Sequence, residues 1–269
     1  VNYLLNPLNF SINISAKNPK ILLEDKSLDL RDITTNISLK SFINNQFSID
    51  DLEISTKEIQ IKDLISLTRK VKGSPQLFIL DSITRAGLIS ANINLTFDLD
   101  GEIKKDYQIN GTVKKAKFNI FNQAEIENLN LSFDISKNQL TLRKVETKIN
   151  NIKLKSPLIK VEEKKNRFFI EGEVISDQQN FDINKLKPIL GDLLSTIETE
   201  KIDFNSINTF SFNVNKKLKL NDLKLETNLN LKNFKIVKNP LNLKSFLPNY
   251  TEQVKLEDHK IKIKLTKDI

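Results

Sequence analysis

The chain of 269 residues has no Cys, no Met and no Trp, and it has one His and six Gly. Without Cys there is no disulfide, thiolate metal site or cysteine nucleophile. With His259 as the single imidazole, most metal centres and His-base schemes have nothing to assemble from. No glycine-rich phosphate loop occurs. No run of about 18 apolar residues occurs, so no segment of this sequence reads as a bilayer-spanning helix. Three Tyr and no Trp leave little for stacking nucleic-acid bases, although the formal charge is +8. The Lys residues are dispersed along alternating segments such as Lys153-Leu154-Lys155, which reads as the wet face of a sheet. Thirty-two Asn accompany them, the mark of a Lys/Asn/Ile compositional bias. The chain opens on Val1, and the lack of any Met points to an excised piece whose signal or anchor would lie upstream.

What is present is a recurring device. Two apolar positions in alternation are followed by two polar residues and then by apolar alternation again. It occurs as Leu28-x-Leu30-Arg31-Asp32-Ile33 and as Phe47-x-Ile49-Asp50-Asp51-Leu52-x-Ile54. It returns as Ile126-Glu127-Asn128-Leu129-x-Leu131, as Leu140-x-Leu142-Arg143-Lys144-Val145, and as Leu218-x-Leu220-Asn221-Asp222-Leu223. Period-two alternation is a strand with one wet and one apolar face. Two consecutive polar residues would turn the apolar set to the wrong side unless the backbone bulges there.

Between these devices run further alternating strands. The cleanest passes through Ile93, Leu95 and Phe97, and ends before Asp100-Gly101, a two-residue hairpin signal. Ile109, Phe118, Ile120, Leu129, Leu131 and Phe133 continue the apolar set, followed by Leu140, Leu142, Phe168 and Ile170. Phe210, Phe212, Val214, Leu229 and Leu231 complete it. Phe169 breaks the alternation. Gly111 and Gly172 lie inside strands and predict bulges. Asp50, Asp51 and Asp134 lack a third clustered ligand and read as bulge and turn residues. Glu162-Glu163-Lys164-Lys165 reads as a solvated turn.

Two stretches interrupt the alternation. Residues 62–86 carry helical spacing in two pieces, with Ser74 and Pro75 opening the second and Gly87 closing it. Residues 182–198 carry i, i+3, i+4 spacing with Pro188 inside, and 240–249 predicts another short helix. The expectation is a mainly β single elongated unit over residues 1–269. It is a long curved antiparallel sheet, an open trough with a few short helical inserts.

The flip units, above all residues 28–42 and 47–59, resemble those of the AsmA-like proteins of Gram-negative bacteria, the AsmA, TamB and YhdP type. The resemblance implies a periplasmic β-trough held at the inner membrane by an N-terminal helix outside this sequence. It also implies a role in moving phospholipid between the inner and outer membranes and in outer-membrane biogenesis. The family offers no catalytic residues to carry over, so the expectation is a non-enzyme without cofactor or metal. Its partners would be phospholipid and the two membranes, not nucleic acid. The lipid-groove candidates are the apolar positions from Ile93 to Leu231 named above. The alternative is a non-catalytic envelope scaffold whose strands close into a β core, since a sandwich buries the same alternation.

Overall fold

The computed structural model of the chain describes all residues except 24–25, 72–74, 121–123, 151, 165–166, 187–200, 216–218, 233, 238–245, 247–248, 250–252, 257 and 268–269. The first part of the sheet holds β1 (Asn2–Asn6), β2 (Ser11–Lys17), β3 (Lys20–Leu23), β4 (Lys26–Ser38), β5 (Ile49–Thr56) and β6 (Ile59–Gln60). A one-turn helix α1 (Leu39–Ile43) sits between β4 and β5, capped by Ser38, whose side chain accepts from Ser41 N. Helices α2 (Ile61–Val71) and α3 (Pro75–Ile83) follow. The long strands are β7 (Thr84–Thr96), β8 (Gln108–Ile120), β9 (Ala124–Ser136), β10 (Gln139–Ile149), β11 (Ile152–Lys164), β12 (Arg167–Asp182), β13 (Lys201–Asn215) and β14 (Leu220–Lys232). β15 (Phe234–Val237) and β16 (Gln253–Leu256) form a separate hairpin, and β17 (His259–Lys267) pairs with β14.

Fifteen of these strands make one antiparallel sheet, in the order β1-β2-β4-β5-β7-β8-β9-β10-β11-β12-β13-β14-β17, with β3 and β6 attached to β4 and β7. The sheet stays open. β1 and β17 are its two edges, and among the described residues the one other sheet is the two-stranded β15–β16 hairpin. The described sheet is not closed into a barrel.

Every flip unit coincides with a register shift. Arg31 is the extra residue between the Leu30–Thr56 and Asp32–Ser55 pairs, and Asp50 between the Asn36–Asp51 and Ile37–Ile49 pairs. The β9–β10 register slips between Arg143 and Glu146, and the β8–β9 register between Ala116 and Phe118 opposite Leu129 and Ile126. The β13–β14 register slips between Ser211 and Asn213. Lys144, Asn128 and Asp222 take φ of 52°, 51° and 53° at three of these places, as does Lys115 (49°) beside Ala116. The extra residue absorbs the parity change, so Leu142 and Val145 stay on one face of β10.

The helices at 61–83 match the expected pair, and Pro75 is the first residue of α3. Gly87 does not stop a helix. It lies inside β7 with φ of 135°, where an added Cβ would stand 2.7 Å from Ala116 Cα and 2.7 Å from Ile61 Cδ1. Glycine is required because α2 and β8 close in on that backbone. Gly111 and Gly172 are not bulges either. Neither is the extra residue of a bulge, although Gly172 borders the β11–β12 register shift. They pair with Phe133 and Phe210, and an added Cβ would meet those rings at 2.7 and 3.0 Å. The Asp100-Gly101 hairpin closes over three residues rather than two. Asp98 N donates to Glu102 O at 3.0 Å, and Gly101 takes φ of 84°. Of the segment 182–198, residues Ile183–Leu186 form a single 3-10 turn after β12. The rest of that expected helix, and the one at 240–249, lie outside the described residues apart from Phe246 and Asn249.

Candidate functional site: an uncovered apolar strip

Cross-strand pairing shows which side chains share a face. Reading partner to partner from β2 to β13 gives Ala16, Ile33, Ile54, Ile93, Ile109, Ile135, Leu140, Val161, Ile170 and Phe212. All ten are apolar and all ten are half-buried, and none of them belongs to the packed clusters among the described residues. A second row lies two residues further along each strand. It runs Ala91, Gly111, Phe133, Leu142, Ile159, Gly172, Phe210, Leu225 and Leu265. With strands about 4.8 Å apart, nine steps make the first row roughly 43 Å long, and the second lies about 7 Å from it. The two rows have a footprint on the order of 600 Å2, at the upper end of apolar patches on soluble proteins.

The opposite face is the negative of this one. The row Ser55, Asn92, Asn110, Asp134, Thr141, Lys160, Glu171, Ser211, Lys224 and Thr266 is polar throughout. Arg143 bonds Asp134 across β9 and β10 on this face, and Glu226 takes Lys262 at 2.5 Å and Lys264 at 3.3 Å. The Lys262 hydrogen bond holds the Glu226 carboxyl below its ordinary value, and Lys164 does the same to Glu162. The hydrogen bonds that Lys117 donates to Glu125 and then Glu127 raise its pKa. These three groups all lie on the wet face. Neither apolar row contains a titratable side chain.

Among the described residues the packed cores occupy one margin of the apolar face and do not include the strip. Ile61 and Ile65, one turn apart on α2, bury against Ala116, with Ile89, Val113, Phe118 and Leu129 around them. At the other end of the same margin Phe181, Ile183 and Ile202 pack with Ile152 and Phe204, the two rings edge-to-face at 5.6 Å. Between the second row and this cluster lies a polar seam. Pro157 on β11 cannot donate, and the β11–β12 ladder is interrupted between Lys155 and Ile159. Ser176 Oγ and Gln178 Nε2 donate to Lys153 O at 3.1 and 2.7 Å, and Asn208 Nδ2 donates to Val174 O at 3.0 Å. The seam satisfies carbonyls that the broken ladder leaves over.

The sequence-based candidates sort accordingly. Ile93, Ile109, Leu140, Ile170 and Phe212 lie in the first row, and Phe133, Leu142 and Phe210 in the second. Leu95, Phe97, Phe168 and Val214 extend the strip toward the hairpin turns, with Phe97 tilted against Phe47 at 5.4 Å. Leu131 pairs with Val113 and points to the same face. Phe118 and Leu129 lie under α2 and so belong to the packed margin, not to the open strip. Phe133 is only 8% exposed, folded down beside Gly111. Leu229 and Leu231 share the face but continue it beyond the polar seam, paired with Ser206 and Phe204. Ile120 lies in β8 and its side chain is outside the described set. Phe169 is on the wet face, with Lys164 Nζ 5.5 Å from its ring centre. The candidates omitted Ala16, Ile33, Ile54, Ile135 and Val161 of the first row and Ala91, Ile159, Leu225 and Leu265 of the second.

No group of three or more His, Cys, Asp or Glu that could hold a metal occurs among the described residues. Among them no helix is long and apolar enough to cross a membrane. No family model, curated protein or solved structure matches the chain.

Proposed function

We propose that the chain binds phospholipid acyl chains along the open apolar strip and acts as a passive, non-catalytic conduit for them. In the AsmA-like reading it does so in the periplasm, between the inner and outer membranes, in support of outer-membrane biogenesis. The observation that carries this is the unbroken row of ten half-buried apolar residues from Ala16 to Phe212, outside the packed clusters of the described residues. Burial of a methylene is worth about 0.8 kcal/mol, so an acyl chain of about sixteen carbons faces about 12 kcal/mol in crossing water alone. A continuous apolar strip removes most of that barrier, and it needs no acid, base, metal or cofactor. Its fixed polar counterpart on the other face keeps the sheet wettable while the strip is occupied.

Native mass spectrometry and lipid extraction on the protein purified from a Gram-negative host test the reading. Co-purifying phospholipid, lost when the strip is made polar, is the expected result. A monodisperse, lipid-free protein that also refuses added lipid would leave the strip as a surface for another protein, and the conduit would fall.

A further inference from the structure

The exposed large apolar side chains are not spread evenly. Leu8 is 95% exposed, Phe42 67%, Ile43 66% and Phe10 49%, and all four sit on the β1–β2 turn and α1. These two pieces adjoin, since Leu39 N donates to Phe10 O at 3.0 Å. Each is held by its own hydrogen bonds. Asn6 Oδ1 accepts from Leu8 N and Asn9 N at 3.1 and 3.3 Å, and Ser38 caps α1. The apolar groups are thus displayed on fixed backbone.

Phe10 has φ of 46°, the left-handed region that favours Asn or Gly, and it is the one aromatic residue there among the described residues. An aromatic ring is kept where the backbone asks for something else, and half of it faces water. Residues 1–11 and 37–49 contain no Asp or Glu, and Lys40 is their one charged side chain. Around the apolar tip stand Asn6, Asn9, Asn44 and Asn45, neutral and polar. Directly behind it the row Leu5, Ile12, Ile37 and Ile49 opens the apolar face.

We propose that the tip formed by the β1–β2 turn and α1 docks on a phospholipid bilayer and loads the strip from it. Leu8, Phe10, Phe42 and Ile43 enter the interface, the Asn side chains lie at headgroup level, and Lys40 meets anionic lipid. The lack of carboxylates removes repulsion from an anionic leaflet. Four exposed apolar side chains with a single Lys suit an acyl layer better than an acid-rich protein surface, which would call for more cations. The docking stands on the tip alone. The loading role rests on the acyl-chain reading of the strip.

The test is co-sedimentation with vesicles of phosphatidylethanolamine and phosphatidylglycerol. It compares the natural chain, the tip variant Leu8→Asn/Phe42→Asn, the variant Phe10→Asn, and the strip variant Leu140→Asp/Leu142→Asp. The tip side chains are exposed and Asn suits the φ of position 10, so these tip variants fold. The natural chain and the strip variant are expected to sediment, and the tip variant to lose about tenfold or more in partition. A soluble fluorescent fatty acid, read in parallel, should bind the tip variant and not the strip variant. If the fatty acid binds neither natural chain nor variants while vesicle binding still follows the tip, the docking holds and the acyl-chain reading fails. Unchanged sedimentation of the tip variant overturns the proposal. So does a natural chain that ignores vesicles but doubles its mass by light scattering, with the tip variant monomeric. In that case the tip is a contact between copies.

Discussion

Placing two carboxylates across the strip should stop an acyl chain from passing while sparing the fold. Leu140 and Leu142 are the β10 members of the two apolar rows, so Leu140→Asp/Leu142→Asp interrupts both rows at one strand and leaves the buried Val145 as the next apolar residue on that face. Both side chains are half-buried, and the aspartates project into the open face rather than into a closed core. An acyl chain crossing β10 must then either strip water from the carboxylates or lift about four methylenes off the strip. At about 0.8 kcal/mol each the second route costs about 3 kcal/mol. Stripping a carboxylate costs several kcal/mol, so lifting is the cheaper route. With tenfold per 1.4 kcal/mol, transfer should slow by about 100-fold. The assay tethers the chain by its two ends between donor and acceptor vesicles and follows a fluorescent phospholipid. Lys224→Asp, exposed on the opposite face, is the matched control and should transfer at the natural rate. A folded double variant, checked by circular dichroism, that transfers as fast as the natural chain refutes the conduit.

Other consequences concern the sheet itself. Gly87→Ala should destabilise by about 2–4 kcal/mol, through overpacking against Ala116 and Ile61 and a φ that L residues avoid. Faster amide exchange in α2 would show it, and unchanged protection would contradict it. At the bulge residue Lys144, Gly should be neutral or up to about 1 kcal/mol stabilising, and Val should destabilise by about 1–2 kcal/mol. Urea midpoints rank them, and equal midpoints would mean that position 144 does not need the left-handed backbone. Glu226 titrates below its ordinary value of 4.5 because Lys262 and Lys264 favour the carboxylate. A depressed folded value means the stabilisation is present above 4.5 and disappears as pH falls through the folded value. Amide protection factors in β17, corrected for intrinsic exchange, should therefore fall at acid pH, and Glu226→Gln should show the lower protection at every pH.

The parts of this fold written locally were legible. Alternation over Ile93, Leu95 and Phe97 is a strand wherever it pairs, and Arg143-Lys144 between Leu142 and Val145 demands a bulge whatever the partner. Helical spacing after Ile61 likewise survives any tertiary setting. What depends on partners was not legible. Gly87 looks like a helix stop until β8 and α2 are seen to close on it. Gly111 and Gly172 look like bulges until the Phe133 and Phe210 rings are seen to need the space. Phe118 and Leu129 alternate like their neighbours, and only the placement of α2 takes them out of the open strip. α1 is one turn long, too short for periodicity to register, and β1 has no alternation to detect. The continuity of the apolar row from β2 to β13 is a property of register between strands, which no single strand carries.

Phospholipid bearing a photoreactive group in its acyl chain, cross-linked to the purified protein and mapped by peptide mass spectrometry, tests the central claim most directly. The account predicts labels at Ile93, Ile109, Ile135, Leu140, Ile170 and Phe212, spaced across many strands on one face. Labels confined to the polar row of Asn92, Asn110 and Asp134, or a level no higher than that of a soluble probe, would contradict it.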